Sequence, residues 1–337
     1  MLLHEFAIDP EIFTDWCTFR YFIDQCGVHH GRLISRFPSD WEKLVRESCD
    51  RNFTTMQRRS LEERLIQMRS KLLKSGRDYN REKTWVENTK SQHEVRPFRA
   101  VIVKANQGNP TVFLVAESVH EQMKPWAVPR EIRIPRRANE MAECVSMLFQ
   151  VSKRILLVDP YFKPKRKTER NGENSWFSYQ DTIPYQFKES LKAFIEEARE
   201  RKKSKMEYHI CFDNDDKENK ERIAEIFCEQ LPQIIPTDFE FTLVIWKAHV
   251  HGKAFHARYV LTDTGGMRFE YGLDEGRKGQ QTDVSLLDPS VHKEALSDVD
   301  LETYDEDPAK KSFELVGTIL ISRQPTDRCK VSWTGEI

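Results

Sequence analysis

From residue 138 onward the sequence alternates amphipathic stretches with short, wholly apolar runs, and this alternation restricts the fold more than anything else in the chain. Residues 138–151 carry Met141, Val145, Leu148 and Phe149 at helical spacing. Residues 155–158 (Ile-Leu-Leu-Val) follow as a fully apolar strand. The pattern repeats with a helix at 185–202, a strand at 208–212, a helix at 218–231 and a strand at 239–246. Short apolar runs separated by helices are the signature of βαβ units, in which a sheet is buried between helical layers. The class expected is therefore α/β, a mixed sheet flanked by helices. Two closely spaced runs, 255–262 and 267–271, are joined by Asp263-Thr-Gly-Gly266 and read as a hairpin, the glycines supplying positive φ. Residues 275–310 are polar and turn-rich and read as a long loop. Residues 313–322 read as a last strand or short helix.

The preceding part of the chain is less regular. Residues 1–95 read as mainly helical, with Phe19, Phe22 and Ile23, then Trp41, Leu44 and Val45, at helical spacing. Pro38-Ser39-Asp40 suits the start of the second helix. The segment 51–83 is basic, and reads either as a solvated helix face or as a surface for phosphate. Residues 98–103 and 111–115 read as two strands turned by Gly108-Asn109-Pro110, a small antiparallel sheet or hairpin that forms either a linking subdomain or an extension of the later sheet. Three segments result: 1–95, 96–135 and 136–337.

Charge does not mark the whole chain as a polyanion binder, since the formal net charge is -1. Any nucleic-acid surface must come from local clustering of Lys and Arg. No apolar run is long enough for a transmembrane helix. The start, MLLHEFAIDPEIF, has neither the basic flank nor the apolar core of a secretion signal. The seven cysteines are scattered with no C-x-x-C pair, which is the usage of a reduced, cytoplasmic protein. Trp16, Trp41, Trp85 and Phe98 read as core anchors.

The chemistry concentrates in His256-Ala-Arg258-Tyr-Val-Leu-Thr-Asp263. On a strand, positions 256 and 258 share a face while Tyr259 and Leu261 point to the opposite layer. An imidazole nitrogen can attack phosphorus, and a guanidinium beside it can hold two phosphate oxygens. Asp263, at the turn, is placed to orient the imidazole or balance its charge. This H-x-R-x4-D string resembles the H-x-K-x4-D motif of the phospholipase D superfamily, with Arg258 in place of lysine. The longer string HARYVLTDTGGMRFEYGLDEG is more similar to a divergent branch, the C-terminal domain attached to some MIT modules and its bacterial relatives. Gly272-Leu273-Asp274 stands where the superfamily has Gly-Ser, and Ile155–Val158 with Asp159-Pro-Tyr-Phe162 resembles the first strand of such a domain. The resemblance covers roughly residues 138–325. It implies a phospholipase D-like fold, a nucleophilic His256, a phosphate clamp at Arg258 and an orienting Asp263.

Catalysis in that superfamily requires two such motifs, one histidine attacking and the other protonating the leaving oxygen. This chain has one: His30-Gly-Arg32 and His251-Gly-Lys253 lack an Asp at the required place. An active form would be a symmetric dimer.

Around the motif, Asp159 lies at a strand's C-terminal end, where α/β sheets collect ligands, and reads either as a ligand contact or as a cap on the following turn. Tyr161 offers a hydroxyl or a stacking face. Lys163, Lys165, Arg166 and Lys167 read as a basic loop, either simply solvated or, beside Asp159, in contact with a phosphate backbone. His251, Lys253, Gly265, Gly266 and Asp274 complete the expected substrate-binding set. His249, His251 and His256 form H-x-H-x4-H, but no acidic or cysteine ligand lies close by, and no metal or other cofactor is expected. Asp213-Asn-Asp-Asp216 lacks the Gly and terminal Glu of a calcium loop and reads as a helix cap. Two functions follow. One is a metal-independent nuclease or phosphodiesterase acting as a dimer on DNA or RNA, which the bacterial relatives imply could serve antiviral defence. The other is a non-catalytic module binding nucleic acid, acidic lipid or a partner protein of a defence complex.

Overall fold

A computed structural model of the chain describes residues 1–50, 52–105, 111–171, 176–212, 217–247, 256–302, 313–323 and 328–334. They form two compact units, Met1–Ile132 and Arg133–Ile337.

The first unit runs β1 (His4–Ile8), α1 (Trp16–Asp24), β2 (Arg32–Ser35), α2 (Trp41–Asp50), α3 (Thr55–Met68), β3 (Leu72–Leu73), α4 (Trp85–Val95), β4 (Ala100–Val103) and β5 (Phe113–Val115). Helices prevail up to residue 95, as expected, but three strands lie among them. The sheet order is β3-β2-β1-β4-β5 and every neighbouring pair is parallel. The antiparallel hairpin read from 98–103 and 111–115 is thus corrected: β4 and β5 are parallel neighbours in one larger sheet. Residues 108–110, read as its turn, lie outside the described residues.

The first strands escape a reading based on apolar runs because they bury charge. Glu5 is buried in β1, where it receives Arg77 Nη2 at 2.6 Å and Ser35 Oγ at 2.7 Å. Arg32, buried in β2, pairs with Glu121 at 2.6 Å and stacks on Trp126. Buried charge persists only where it is paired in this way. Capping boxes open α3 at Thr54 with Gln57 and α4 at Thr84 with Glu87, satisfying amides that the first turn leaves over. The core gathers Phe6, Phe13, Phe19, Phe22, Trp41 and Trp126. Trp41 and Phe98 are buried, and Trp16 and Trp85 pack against core clusters, so all four serve as anchors. Much of the basic segment is engaged inside the unit: Arg58 pairs with Asp50, Arg64 with Asp24 and Arg77 with Glu5.

The second unit's elements are β6 (Glu131–Pro135), α5 (Ala138–Cys144), α6 (Ser146–Val151), β7 (Ile155–Val158), β8 (Lys165–Asn171), β9 (Trp176–Thr182), α7 (Tyr185–Glu200), β10 (Lys205–Phe212), α8 (Lys217–Ile234), β11 (Glu240–Lys247), β12 (Tyr259–Thr262), β13 (Gly266–Phe269), β14 (Gln281–Leu286), α9 (Pro289–Val299), β15 (Glu314–Ile321) and β16 (Cys329–Trp333). Nine of the described strands make one mixed sheet, ordered β16-β15-β11-β10-β7-β12-β13-β14-β6. Its centre, β11-β10-β7, is parallel; β12, β13 and β14 continue antiparallel on one side, β15 and β16 on the other. One face carries Phe162 and Tyr208 against Phe187 of α7 and Phe227 of α8. The other packs Leu156, Val158 and Leu261 with Val299 of α9. The expected α/β class, a mixed sheet flanked by helices, is what the chain adopts.

Four local readings are corrected. The helix expected over 138–151 is two, meeting at Val145 (φ -96°, ψ 0°). The loop expected over 275–310 contains β14 and α9. In β14 the alternate residues Thr282, Val284 and Leu286 are buried, but its polar Gln, Thr, Asp and Ser obscured the period of two. The basic loop becomes a strand from Lys165, the first half of the β8-β9 hairpin. Finally, not all cysteines are thiols: Cys228 of α8 and Cys329 of β16 form a disulfide across a sequence separation of 101. Residues 213–216 lie outside the described residues.

Two predictions follow from these features. Closing so long a loop restricts the unfolded chain, and typical bridges contribute about 2–4 kcal/mol. Cys228→Ser with Cys329→Ser is expected to lower the urea midpoint by a corresponding amount, and the mutant should no longer respond to reductant. In the first unit, burial pushes the Asp9 carboxyl up from 3.8 to about 6, although it accepts the Glu11 amide at 2.9 Å. The folded state therefore holds this proton more tightly than the unfolded chain. Its stability contribution is present at low pH and lost as pH rises through about 6. Stability curves of Asp9→Asn at successive pH values should lack this decline.

Candidate functional site

The antiparallel register of β7 and β12 pairs Val158 with Tyr259, so the residues after β7 and those before β12 meet at one end of the sheet. Phe269, at the end of β13, donates its amide to the Arg258 carbonyl at 3.0 Å, which brings the segment after β13 to the same end. Three strand ends thereby converge.

On them, Tyr161 is the meeting point. Its hydroxyl lies 3.2 Å from His256 Nδ1, and the Arg258 guanidinium lies over its ring, 4.7 Å from the centroid. His256 and Arg258 share this contact, and Tyr259 packs in the α9 layer. The regular strand starts only at Tyr259, not at 255; 256–258 continue beyond the ladder. Arg258 Nη1 donates to the Glu270 carbonyl at 3.1 Å, which fixes the direction of the guanidinium. His256 also lines a cavity of about 160 Å³ with Val158, Tyr259, Val291, Ala295 and Phe313.

Beneath this layer lies Asp159, 1% exposed. One carboxylate oxygen accepts the Tyr161 amide at 2.9 Å and the other the Leu273 amide at 2.9 Å, so a single side chain ties two of the converging segments together. Burial raises its pKa above the usual carboxylate range. The two amide bonds and the Arg258 charge oppose that rise, and the Asp274 charge adds to it. Tyr208 lies in the same buried layer, and burial together with the Asp159 and Asp274 charges holds its hydroxyl protonated. Asp274 is ion-paired with Arg136, whose Nε also donates to the Asp274 carbonyl at 3.0 Å. Between the two acids, Gly272 takes φ +106°, and a Cβ there would lie 2.8 Å from Asp274 Oδ1.

No protein-family model and no curated protein matches this sequence.

The candidate site thus rests on geometry. Of the residues expected from sequence, His256, Arg258, Asp159 and Tyr161 are brought together, and Asp274 joins them through Gly272. Lys163 places its ammonium 5.6 Å from the Phe212 ring centre, and Lys165 opens the β8 strand. His251 and Lys253 lie outside the described residues, as does His249. Among the described residues, no three His, Cys, Asp or Glu side chains could hold a metal ion.

Asp263 does not reach the imidazole. It lies at the opposite end of β12, about 20 Å along the chain at ordinary strand rise. There its carboxylate accepts the amides of Lys153 at 2.6 Å and Arg154 at 3.1 Å. The glycines beside it are corrected too. Neither Gly265 nor Gly266 has positive φ. Gly266 is required because a Cβ would press within 2.8 Å of Leu261 and 2.9 Å of Leu287, and the turn is held by Thr262 Oγ1 donating to the Gly265 carbonyl at 2.8 Å. Three contributors were missed: Arg136, Gly272 as a positive-φ position, and the Glu270 carbonyl. Only Gly272 had a signal, its place in Gly-Leu-Asp.

Two substitutions test the foundation. Asp159→Ala strands two buried amides, each worth about 1–3 kcal/mol when left unpaired. Gly272→Ala adds both backbone strain, about 1–3 kcal/mol, and a clash with the Asp274 carboxylate. Both are expected to lower the urea midpoint, whereas Asp263→Ala should spare the site and only weaken the turn.

Proposed function

We propose that the second unit binds a phosphodiester at the converging ends of β7, β12 and β13 and, as a dimer, cleaves it without a metal. The observation that supports this reading is the common contact of His256 and Arg258 with Tyr161, which holds an imidazole and a guanidinium side by side at the protein surface. In the tautomer that donates from Nδ1 to the tyrosine oxygen, Nε2 carries the lone pair needed for attack. Attack on phosphorus forms a phosphorus–nitrogen bond and breaks the bond to the leaving oxygen. A second imidazole, from another copy of this chain, would protonate that oxygen. Water then releases the phosphoryl group and restores His256. Arg258 would hold the non-bridging oxygens, its direction set by the Glu270 carbonyl. On this reading the second unit is a phospholipase D-like domain, and its nuclease activity would serve a bacterial defence system.

A binding module without turnover is the second reading, and the place of Asp263 favours it: the carboxylate meant to orient the imidazole is engaged with Lys153 and Arg154 instead. Nucleic acid, acidic lipid or a partner protein would then occupy the same receptor.

Incubation of the full chain with labelled DNA and RNA in excess EDTA separates the two. Cleavage that survives EDTA and is lost in His256→Ala, by a factor of about 10² or more, supports the enzyme. Salt-sensitive binding without cleavage, weakened in Arg258→Ala, supports the module. Cleavage abolished by EDTA would overturn the metal-independent mechanism.

A further inference from the structure

The strand end that fixes Arg258 also carries an exposed aromatic side chain. Glu270 receives the Arg258 guanidinium on its carbonyl, and the next residue, Tyr271, is 58% exposed. Its backbone is held on both sides: the Glu270 amide donates to Asp283 at 3.0 Å, the Tyr271 amide to Thr282 Oγ1 at 3.4 Å, and Gly272 turns the chain at φ +106°. A large ring left to solvent on a fixed backbone, one residue after the carbonyl that holds the Arg258 guanidinium, has no role in the core. Tyr161 is itself 45% exposed, but Arg258 lies over its ring and its hydroxyl meets His256. Tyr271 is therefore the ring placed to receive a planar ligand. Glu270 pairs with Arg268, and past the Asp274–Arg136 pair and Glu275 the exposed Arg277 and Lys278 add two cations to the segment.

A phosphate receptor beside an aromatic platform with further cations along the same segment matches the way proteins hold unpaired strands: the backbone follows the charge while a base stacks on the ring. In a duplex the base faces are buried in the stack and cannot reach such a ring. We propose that the site takes single-stranded nucleic acid, with a phosphate at Arg258 and a neighbouring base stacked on Tyr271. This rests on the phosphate-receptor reading above and narrows it to one substrate class.

Fluorescence anisotropy of the full chain, every protein carrying His256→Ala so that the strands are not cut, tests it with three labelled probes: a mixed-sequence 12-mer single strand, an abasic strand of equal length, and the corresponding duplex. The protein with no further change is expected to prefer the base-containing strand over the other two. Tyr271→Ala should weaken that strand about tenfold and leave the abasic strand unchanged, while Tyr271→Phe, which keeps the ring, binds as the protein with Tyr271 does. Equal binding of single strand and duplex, or an unaltered affinity in a folded Tyr271→Ala protein, would overturn the stacking proposal while leaving the receptor standing. An abasic strand indifferent to Arg258→Ala would remove the receptor and the proposal together. Arg258-dependent binding to phosphatidylserine vesicles without affinity for any strand would assign the site to a membrane surface and equally overturn it.

Discussion

The pairing of β12 with β7 determines where every group of the candidate site can lie. Because the two strands are antiparallel, the residues leaving β7 and those entering β12 are forced to one end, and Tyr161 arrives beside His256 and Arg258. A parallel pairing would have put Tyr161 at one end of the sheet and His256 at the other. Leu156, Val158 and Leu261 pack together against the α9 layer in this register, and a one-residue slip of β12 would turn Leu261 away from that layer to the opposite face.

Around this pairing the site is built in two layers with different physics. The upper layer is polar and accessible, an imidazole and a guanidinium gathered on one aromatic ring. The lower layer is dry and holds the loops in place. Asp159 does this with two amide bonds, and Asp274 with an arginine from the neighbourhood of the sheet's far edge strand. Carboxylates so close would repel each other if both were fully charged. Burial resolves this by favouring the proton on Asp159, while Arg136 neutralises Asp274.

The sequence revealed what depends on local pattern. Wholly apolar strands such as Ile155–Val158 and amphipathic helices such as α7 and α8 could be read directly, and they were enough for the fold class of the second unit. Strands that carry charge into the interior were not legible: Glu5 and Arg32 look like loop residues until their partners, Arg77 and Glu121, are found far along the chain. β14 was hidden in the same way by its polar residues. At the site, His256 and Arg258 both meet Tyr161 although they precede the β12 ladder, and Asp159, which follows β7, is spent on the amides of Tyr161 and Leu273. Arg136 was invisible because its meaning comes from a contact 138 residues away. Asp263 was misread because spacing along a strand says nothing about which end a side chain serves.

That last residue changes what the motif itself signifies. Its carboxylate staples the turn after β12 to the amides that lead into β7, at the end of the strand opposite His256. In this chain, then, the aspartate reports on how the hairpin is anchored, and a search that demands it selects for architecture. A change at either residue leaves the partners of the other in place, because the two stand at opposite ends of β12 with separate contacts.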